Sequence, residues 1–436
     1  MMEPAAVTRL LTCPEQLTLL DKEWRYKGEG NANVVLSLPA DGTVVRVMKE
    51  ADDCGEETAT AVAETLLVRL RFFCAVKRLF FTDRRSVFPR SCHVDLPVPK
   101  RVAAEELREI DRLLGPDRPA GRKHKRLSRA AGLVAVCPDY TMLPPADEPS
   151  DVWCVEIKPK QGWVHEDDRR DTARSTSAMC PFCVHQYLKL CRGDVRRPSA
   201  YCPLDMFSGC RERVRRAVGA LLQDPQNNLK IFVDGQPLQV ARDNGFLDAA
   251  KRVLGDVTRF CELVADALLD DSEPDDPSAA DERDDDGDND LHGFRSPSSL
   301  GCDFRSVPMP RHCVLNEILA MQRMQTTGFA AVCAEYDDDD CARDPHLQFG
   351  HVTRLRALHD GQAAVLSPVD GYLVAATARD CSVFVTFRPH SSRIFFPRTE
   401  VRVKVSDLDP KPRSTVEKHR IRNAEVESAY RQYSVG

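Results

Sequence analysis

Residues 152–160, Val152-Trp153-Cys154-Val155-Glu156-Ile157-Lys158-Pro159-Lys160, constrain the fold more than any other stretch. Trp153, Val155 and Ile157 recur at period two, the repeat of a buried β-strand. Glu156, Lys158 and Lys160 keep that period on the opposite face. Three charges of mixed sign on one side of an apolar strand are costly to desolvate unless they meet each other or a charged ligand. Pro159 removes a ladder donor, so the strand ends there or lies at a sheet edge. Two readings follow: a half-exposed edge strand with a wet face, or an anion site. Gly162 and Trp163 directly after the strand, and residues 139–142 before it across a Pro-rich loop, favour the anion site.

A chain of 436 residues accommodates one large two-lobed domain or two to three smaller ones. Its net charge of -6 argues against a general nucleic-acid binder. The 17 cysteines are dispersed rather than packed into a small disulfide scaffold. Residues 1–12 lack the charged and apolar regions of a secretory leader, and no run approaches about 18 apolar residues. The expectation is a soluble, intracellular protein with mostly reduced cysteines and no membrane insertion.

Before the central strand, residues 24–36 read as strand, tight turn, strand, with Gly28 and Gly30 permitting positive φ or a close ligand. Strands 34–38 and 43–48 flank Pro39-Ala40-Asp41-Gly42, a hairpin turn signal. A glycine-containing hairpin followed by a strand carrying Arg46 either covers phosphates or is only a turn. Helical spacing marks 57–76, where Glu64 is a partner for a strand cation or a solvated glutamate, and 103–114. Residues 118–129 are the most basic patch, a solvated loop or a polyanion site. Residues 133–137 form an apolar strand leading to Asp139.

After it, Cys180-Pro181-Phe182-Cys183 has the two-residue spacing of zinc ligands, and Cys202 with His185 or Cys191 completes a tetrahedral set. Buried free thiols are the alternative. A redox pair fits less well, because no strand precedes and no helix follows Cys183. Residues 201–209 read as a rigid loop and 211–222 as a basic helix. Asn227 and Asn228, before an apolar strand, orient an anion or end a turn. Residues 246–254 and 257–269 are helical. Residues 270–290 hold 12 acidic residues in 21, a disordered linker. Helical signal returns at 314–325. Cys333, Cys341 and His346 surround a second acidic run, 337–340. Residues 371–387 read as two apolar strands meeting at Arg379-Asp380, and 402–405 as a strand ending at Asp407. Carboxylates at strand ends suit Mg²⁺ and a base, or ordinary turn caps.

In order along the chain, Gly28-Glu29-Gly30-Asn31, Glu156-Ile157-Lys158-Pro159-Lys160 with Gly162, Cys202-Pro203-Leu204-Asp205 with Phe207-Ser208-Gly209, and Gln226-Asn227-Asn228 are followed by Ala375-Ala376-Thr377-Ala378 with Asp380-Cys381-Ser382, then Asp407-Leu408 with Lys411-Pro412. Together these strings, spanning about residues 24–412, resemble the inositol-pentakisphosphate 2-kinase family. The resemblance implies ATP-dependent phosphorylation of the axial 2-hydroxyl of inositol 1,3,4,5,6-pentakisphosphate, with Mg²⁺, giving the hexakisphosphate. It implies an α+β, two-lobed fold distantly like that of protein kinases. A β-rich N-lobe, 21–138, binds nucleotide; a larger C-lobe, 139–436, carries an inositide-binding insertion.

The resemblance also distributes roles. Gly28, Glu29, Gly30, Asn31, Ala32 and Asn33 become the loop over the ATP phosphates, with Arg46 beside them, Asp139 at the hinge near adenine and Asn228 near the phosphates. Lys158, Lys160, Lys411 and Arg118 become substrate-phosphate ligands, Asp380 the general base and Asp407 the Mg²⁺ ligand. Cys183 before Val184-His185-Gln186 places the chain with animal rather than plant members, which carry lysine there. Thr415 and His419 fall where the family has arginine and tyrosine contacts. An inositide-binding scaffold with weak catalysis is the alternative, and the presence of both aspartates weighs against it. No His-Arg-Asp or Asp-Phe-Gly string marks a protein kinase, and a specific nucleic-acid binder would rest on 118–129 and 180–202 alone. A monomer of nucleus and cytoplasm is expected.

Overall fold

In the computed structural model of the chain, the described residues are 14–50, 59–81, 93–130, 132–146, 150–170, 176, 179–240, 245–271, 308–338, 348–362, 365–389 and 400–434. Two five-stranded sheets, antiparallel throughout, organise them into an α+β fold. The first contains β1 (Arg25–Glu29), β2 (Asn33–Leu38), β3 (Thr43–Met48), β4 (Val98–Arg101) and β5 (Leu133–Pro138) in the order β1-β2-β3-β5-β4. The second contains β6 (Trp153–Ile157), β7 (Leu229–Val233), β8 (Gln236–Pro237), β9 (Ser382–Phe387) and β10 (Val401–Ser406) in the order β10-β9-β6-β7-β8.

The β2–β3 hairpin forms as its alternation predicts. Val34, Leu36 and Leu38 face Leu107, Ile110 and Leu114 of the helix α2 (Ala104–Leu114), and Gly42 takes φ 60 to close the turn. The other face of this sheet is covered by α1 (Ala59–Phe80), through Leu66 and Leu70 against Met48, Leu133 and Ala135. The far end of α1 carries Phe72, Phe73 and Val76 into the large core around the second sheet. One helix therefore belongs to both cores and fixes the two sheets against each other.

β6 is the middle strand of its sheet, paired on both sides, and all five of its residues are buried. The edge alternative fails because the ladder ends at Ile157, two residues before Pro159. Helices α3 (Glu166–Arg170), α4 (Pro181–Cys191), α5 (Pro203–Met206), α6 (Arg211–Gln223), α7 (Gly245–Leu254), α8 (Val257–Leu269), α9 (Val314–Gln322), α10 (Phe329–Asp338), α11 (Gly350–His359), α12 (Pro368–Ala378) and α13 (Thr415–Ser434) complete the described α-helices.

Several expectations are corrected. Residues 371–378, expected as strand, belong to α12, whose residues from Val369 to Ala378 are all buried. An apolar run buried on every side shows neither period, and its start is set by Ser367, whose side chain accepts from the Asp370 N–H, with Pro368 at the first turn. The 201–209 stretch contains α5 rather than only a loop, and a helix, α4, does follow Cys180. Glu64 is exposed, while Cys333 and Asp337 lie on α10, where Asp337 pairs with Arg420. The acidic stretch 272–290, and Cys341 and His346, lie outside the described residues. Among those residues no helix is long and apolar enough to cross a membrane, and the cysteines are free thiols.

Candidate active site

The strand ends that face one another across the two sheets carry the charged residues. Arg46, from the middle of β3, donates to Asp407 Oδ1 at 2.8 Å and lies 3.8 Å from Asp409. Asp407 follows β10 directly, in the left-handed region at φ 60. Its other oxygen accepts from Lys158 Nζ at 3.1 Å and lies 3.1 Å from the Ser382 hydroxyl. That hydroxyl is also 2.9 Å from Glu156 Oε1, and with one proton it serves one carboxylate at a time. Burial alone would raise the Asp407 carboxyl, but Arg46 and Lys158 outweigh it and hold it at about 2. Burial likewise opposes the charge on Lys158, and Asp407 with Glu156 and Asp380 more than offsets it.

A second carboxylate is held in the same way. Asp380 follows α12, and its two oxygens accept from Lys160 Nζ at 3.2 Å and Lys411 Nζ at 2.7 Å. Desolvation is outweighed by the two ammonium groups, so Asp380 stays well below the usual carboxylate range. Lys160, pushed down by burial, adopts φ 64. Left-handed backbone at two non-glycine residues of one site is strain that the surroundings must enforce.

Asn228, at the start of β7, is 2% exposed; its backbone carbonyl accepts from Lys158 N at 2.8 Å. Both polar atoms of its side-chain amide are buried without a hydrogen-bond partner. Such a group is costly to leave unpaired and marks a place for a polar ligand.

The glycine turn is braced from beneath. Gly28 sits at a bulge in β1, with φ 155, that leaves Lys27 outside the ladder. Lys27 reaches the Asp139 carboxylate, the Thr141 hydroxyl at 2.6 Å and the Gly235 carbonyl at 3.2 Å. Asp139 is buried at the crossing between the sheets, where Arg402 donates to its carbonyl at 3.1 Å. The turn itself is closed by Gly30 N–H on the Asn33 carbonyl at 2.9 Å, and Lys49 donates to the Gly30 carbonyl and the Ala32 carbonyl. Asn31 accepts from Arg122, and Asn33 from Arg69 of α1 at 3.0 Å. Beside Arg46 lies a small cleft with Asn33, Arg69 and Asp409 on its polar side.

Glu29 and Arg118 are not brought to the open site. The Glu29 carboxylate, 1% exposed, points inward to Lys49 and to Arg118, which donates to it at 3.0 and 3.1 Å. Arg118 is 4% exposed and also holds Asp111 and the carbonyls of Arg122 and Lys125. It braces the glycine turn instead of facing a substrate. Sequence reasoning missed Lys27, Arg69 and the full burial of Arg118, since each depends on partners far along the chain; only the bulge glycine hinted at Lys27.

The thiols of Cys180, Cys183 and Cys202 lie within 4.8 Å of one another. Cys180 precedes α4 and Cys202 precedes α5. Hydrogen bonding among the three thiols, with the Leu204 and Asp205 N–H groups, lowers Cys202 and raises Cys180 and Cys183, so the cluster favours one thiolate at Cys202. Cys191 is exposed against Gln432, and neither it nor His185 joins the cluster.

The model of the family described as inositol-pentakisphosphate 2-kinase matches residues 26–425. An inositol-pentakisphosphate 2-kinase from Danio rerio is 27% identical over 90% of this chain and 89% of its own length. One from Oryza sativa subsp. indica is 25% identical over 85% and 82%, and one from Drosophila melanogaster 25% over 51% and 50%. With two paired carboxylates, three lysines and the glycine turn lying inside the matched span, the chain belongs to the inositol-pentakisphosphate 2-kinase family.

Proposed function

We propose that this kinase phosphorylates the 2-hydroxyl of inositol 1,3,4,5,6-pentakisphosphate, taking the phosphoryl group from ATP. Family membership carries the reading, and the observation in the fold that supports it best is the Lys160–Asp380–Lys411 arrangement. A densely anionic substrate needs preorganised cations, and a carboxylate among them can accept the hydroxyl proton. Lys158, Lys160 and Lys411 bind substrate phosphates, and Asp380 is the base. Without substrate the lysines hold Asp380 as a weakly basic carboxylate. Phosphates that draw Lys160 and Lys411 away raise its basicity when the hydroxyl is present.

The glycine turn covers the ATP phosphates, with Arg46 and Asn228 beside them and the Asp139 segment as the hinge near adenine. The two sheets correspond to two lobes, 21–138 and 139–436, distantly kinase-like. Asp407 and Asp409 are hard oxygen donors, two residues apart and partly exposed, and they fit Mg²⁺. When bound, Mg²⁺ supplies charge neutralisation to the phosphates in transfer. Cys180, Cys183 and Cys202 fit a structural zinc, because tetrahedral zinc with sulfur at about 2.3 Å needs sulfurs this close. The test of the function is phosphate transfer from ATP to purified inositol pentakisphosphate, with product position read by phosphorus NMR. Transfer onto an existing phosphate to give a diphosphate, or no transfer, overturns the reading.

A further inference from the structure

The segment 158–162 leaves β6 without regular structure, yet it carries two of the three lysines and a residue in strained backbone. Something must hold it. Gln322, the last residue of α9, is fully buried. Its Oε1 accepts from the Gly162 N–H at 2.9 Å, and its Nε2 donates to the Lys160 carbonyl at 2.9 Å. A primary amide offers one acceptor and one donor on the same side, matching a C=O and an N–H two residues apart. The Tyr201 hydroxyl donates to the Pro159 carbonyl at 2.7 Å, and the Phe207 ring lies under Gly162. Tyr201 and Phe207 restrain the segment before and after Lys160, and Gln322 holds Lys160's own carbonyl together with the Gly162 N–H.

We propose that Gln322 is the positioning residue for Lys160, a bidentate backbone clamp that fixes where the ammonium group meets a substrate phosphate and Asp380. The inference rests on the assignment of Lys160 to the substrate. Gln322 itself reaches neither reacting group and acts through the backbone it holds.

The test uses the full chain. Gln322→Met keeps the volume and removes both hydrogen bonds; Gln322→Glu keeps the acceptor for Gly162 and loses the donor to Lys160. Removing the clamp raises the inositide KM about tenfold while the ATP KM and kcat stay within about twofold. Gln322→Glu falls between parent and Gln322→Met. On a Lys160→Ala background the Gln322→Met change adds nothing further, because the side chain it positions is gone. Hydrogen exchange of the Gly162 amide rises in the variants and gives a readout independent of turnover. Parental KM and exchange in Gln322→Met overturn the proposal. So do an equal loss in both KM values and kcat, or full additivity with Lys160→Ala. A parent that neither binds nor phosphorylates the inositide refutes the functional reading instead, and exchange at Gly162 still decides whether Gln322 clamps the segment. If Gln322→Met does not fold, Gln322→Glu on the two backgrounds carries the same comparison.

Discussion

Gly162 is the point where loop geometry and chemistry are most tightly joined. A Cβ built on it would lie 2.0, 2.2 and 2.7 Å from the Cδ2, Cγ and Cβ of Phe207. Ordinary carbon contacts are about 3.5–4.0 Å, so Gly162→Ala forces a separation of roughly 1.5 Å. Phe207 is 6% exposed and belongs to the large core, so the ring cannot retreat by that much. The loop must move in part, and with it Lys160 two residues away. Overpacking of this kind costs about 1–3 kcal/mol, a fall in Tm of a few degrees. A displacement of about 1 Å at a positioning group costs up to about 10²-fold in kcat/KM. The assay pairs thermal melts with steady-state kinetics in inositol pentakisphosphate. Gly219→Ala is the control: it lies inside α6, and its added Cβ meets only Cys261 Sγ, at 3.8 Å. That variant should keep parental kinetics and melt at or slightly above the parent temperature. A Gly162→Ala enzyme with parental kcat/KM would refute the link between this loop and the chemistry, whatever its Tm.

The two aspartates should fail differently. Asp380→Asn lowers kcat by about 10²-fold or more with inositide binding by calorimetry nearly intact, whereas the defect of Asp407→Asn is partly relieved by raised Mg²⁺; near-parental turnover in the first, or no magnesium response in the second, removes that assignment. The folded pKa of both carboxyls is depressed, with Asp407 at about 2 against an ordinary 3.8. Their contribution to stability is therefore present above about pH 4 and lost as pH falls through about 2. In kcat/KM, which reports the free enzyme, Asp380 should give no acidic limb between pH 8 and 5, and a limb in that range that disappears in Asp380→Asn would contradict the assignment. Chelation should remove about one equivalent of zinc and raise the inositide KM, because Cys202 adjoins Tyr201, whose hydroxyl holds Pro159. Zinc-free protein with parental KM and Tm would end that idea.

What the sequence made legible was whatever has a short repeat or a fixed turn. The β2–β3 hairpin is written in Val34, Leu36, Val45 and Val47 around Gly42, and the apolar face of β6 in Trp153, Val155 and Ile157. α12 was hidden because a helix buried on all sides has no polar stripe; only the Ser367-Pro368 cap announces it. The site divides in the same way. Lys158, Lys160, Asp380 and Asp407 stand in strings whose order is itself distinctive. Gln322 and Tyr201 act on the 159–162 backbone from 162 and 42 residues away, and no local pattern encodes that. Arg118 misled for a related reason. In a basic stretch it reads as solvated, whereas Glu29, 89 residues earlier, and Asp111 hold it inside.

Each aspartate of the site sits between two cations from different parts of the chain. Asp407 joins Arg46 of the first sheet to Lys158 beyond the centre of the second, and Asp380 joins Lys160 to Lys411. Each triad carries one net positive charge. Without an anion the aspartate compensates part of that charge, so the cations are held in place without a ligand. An arriving phosphate would compete with the aspartate for the same cationic groups and win only by presenting more charge. On the proposed assignments, that competition would release a base at Asp380 and, at Asp407, free oxygens for a metal while loosening the tie between the two sheets. On that reading, basicity at one aspartate and relative sheet position at the other would depend on how many phosphates are bound. A less phosphorylated inositol would draw fewer lysines from Asp380 and leave it the weaker base, so discrimination among inositol phosphates would show in kcat as well as in KM.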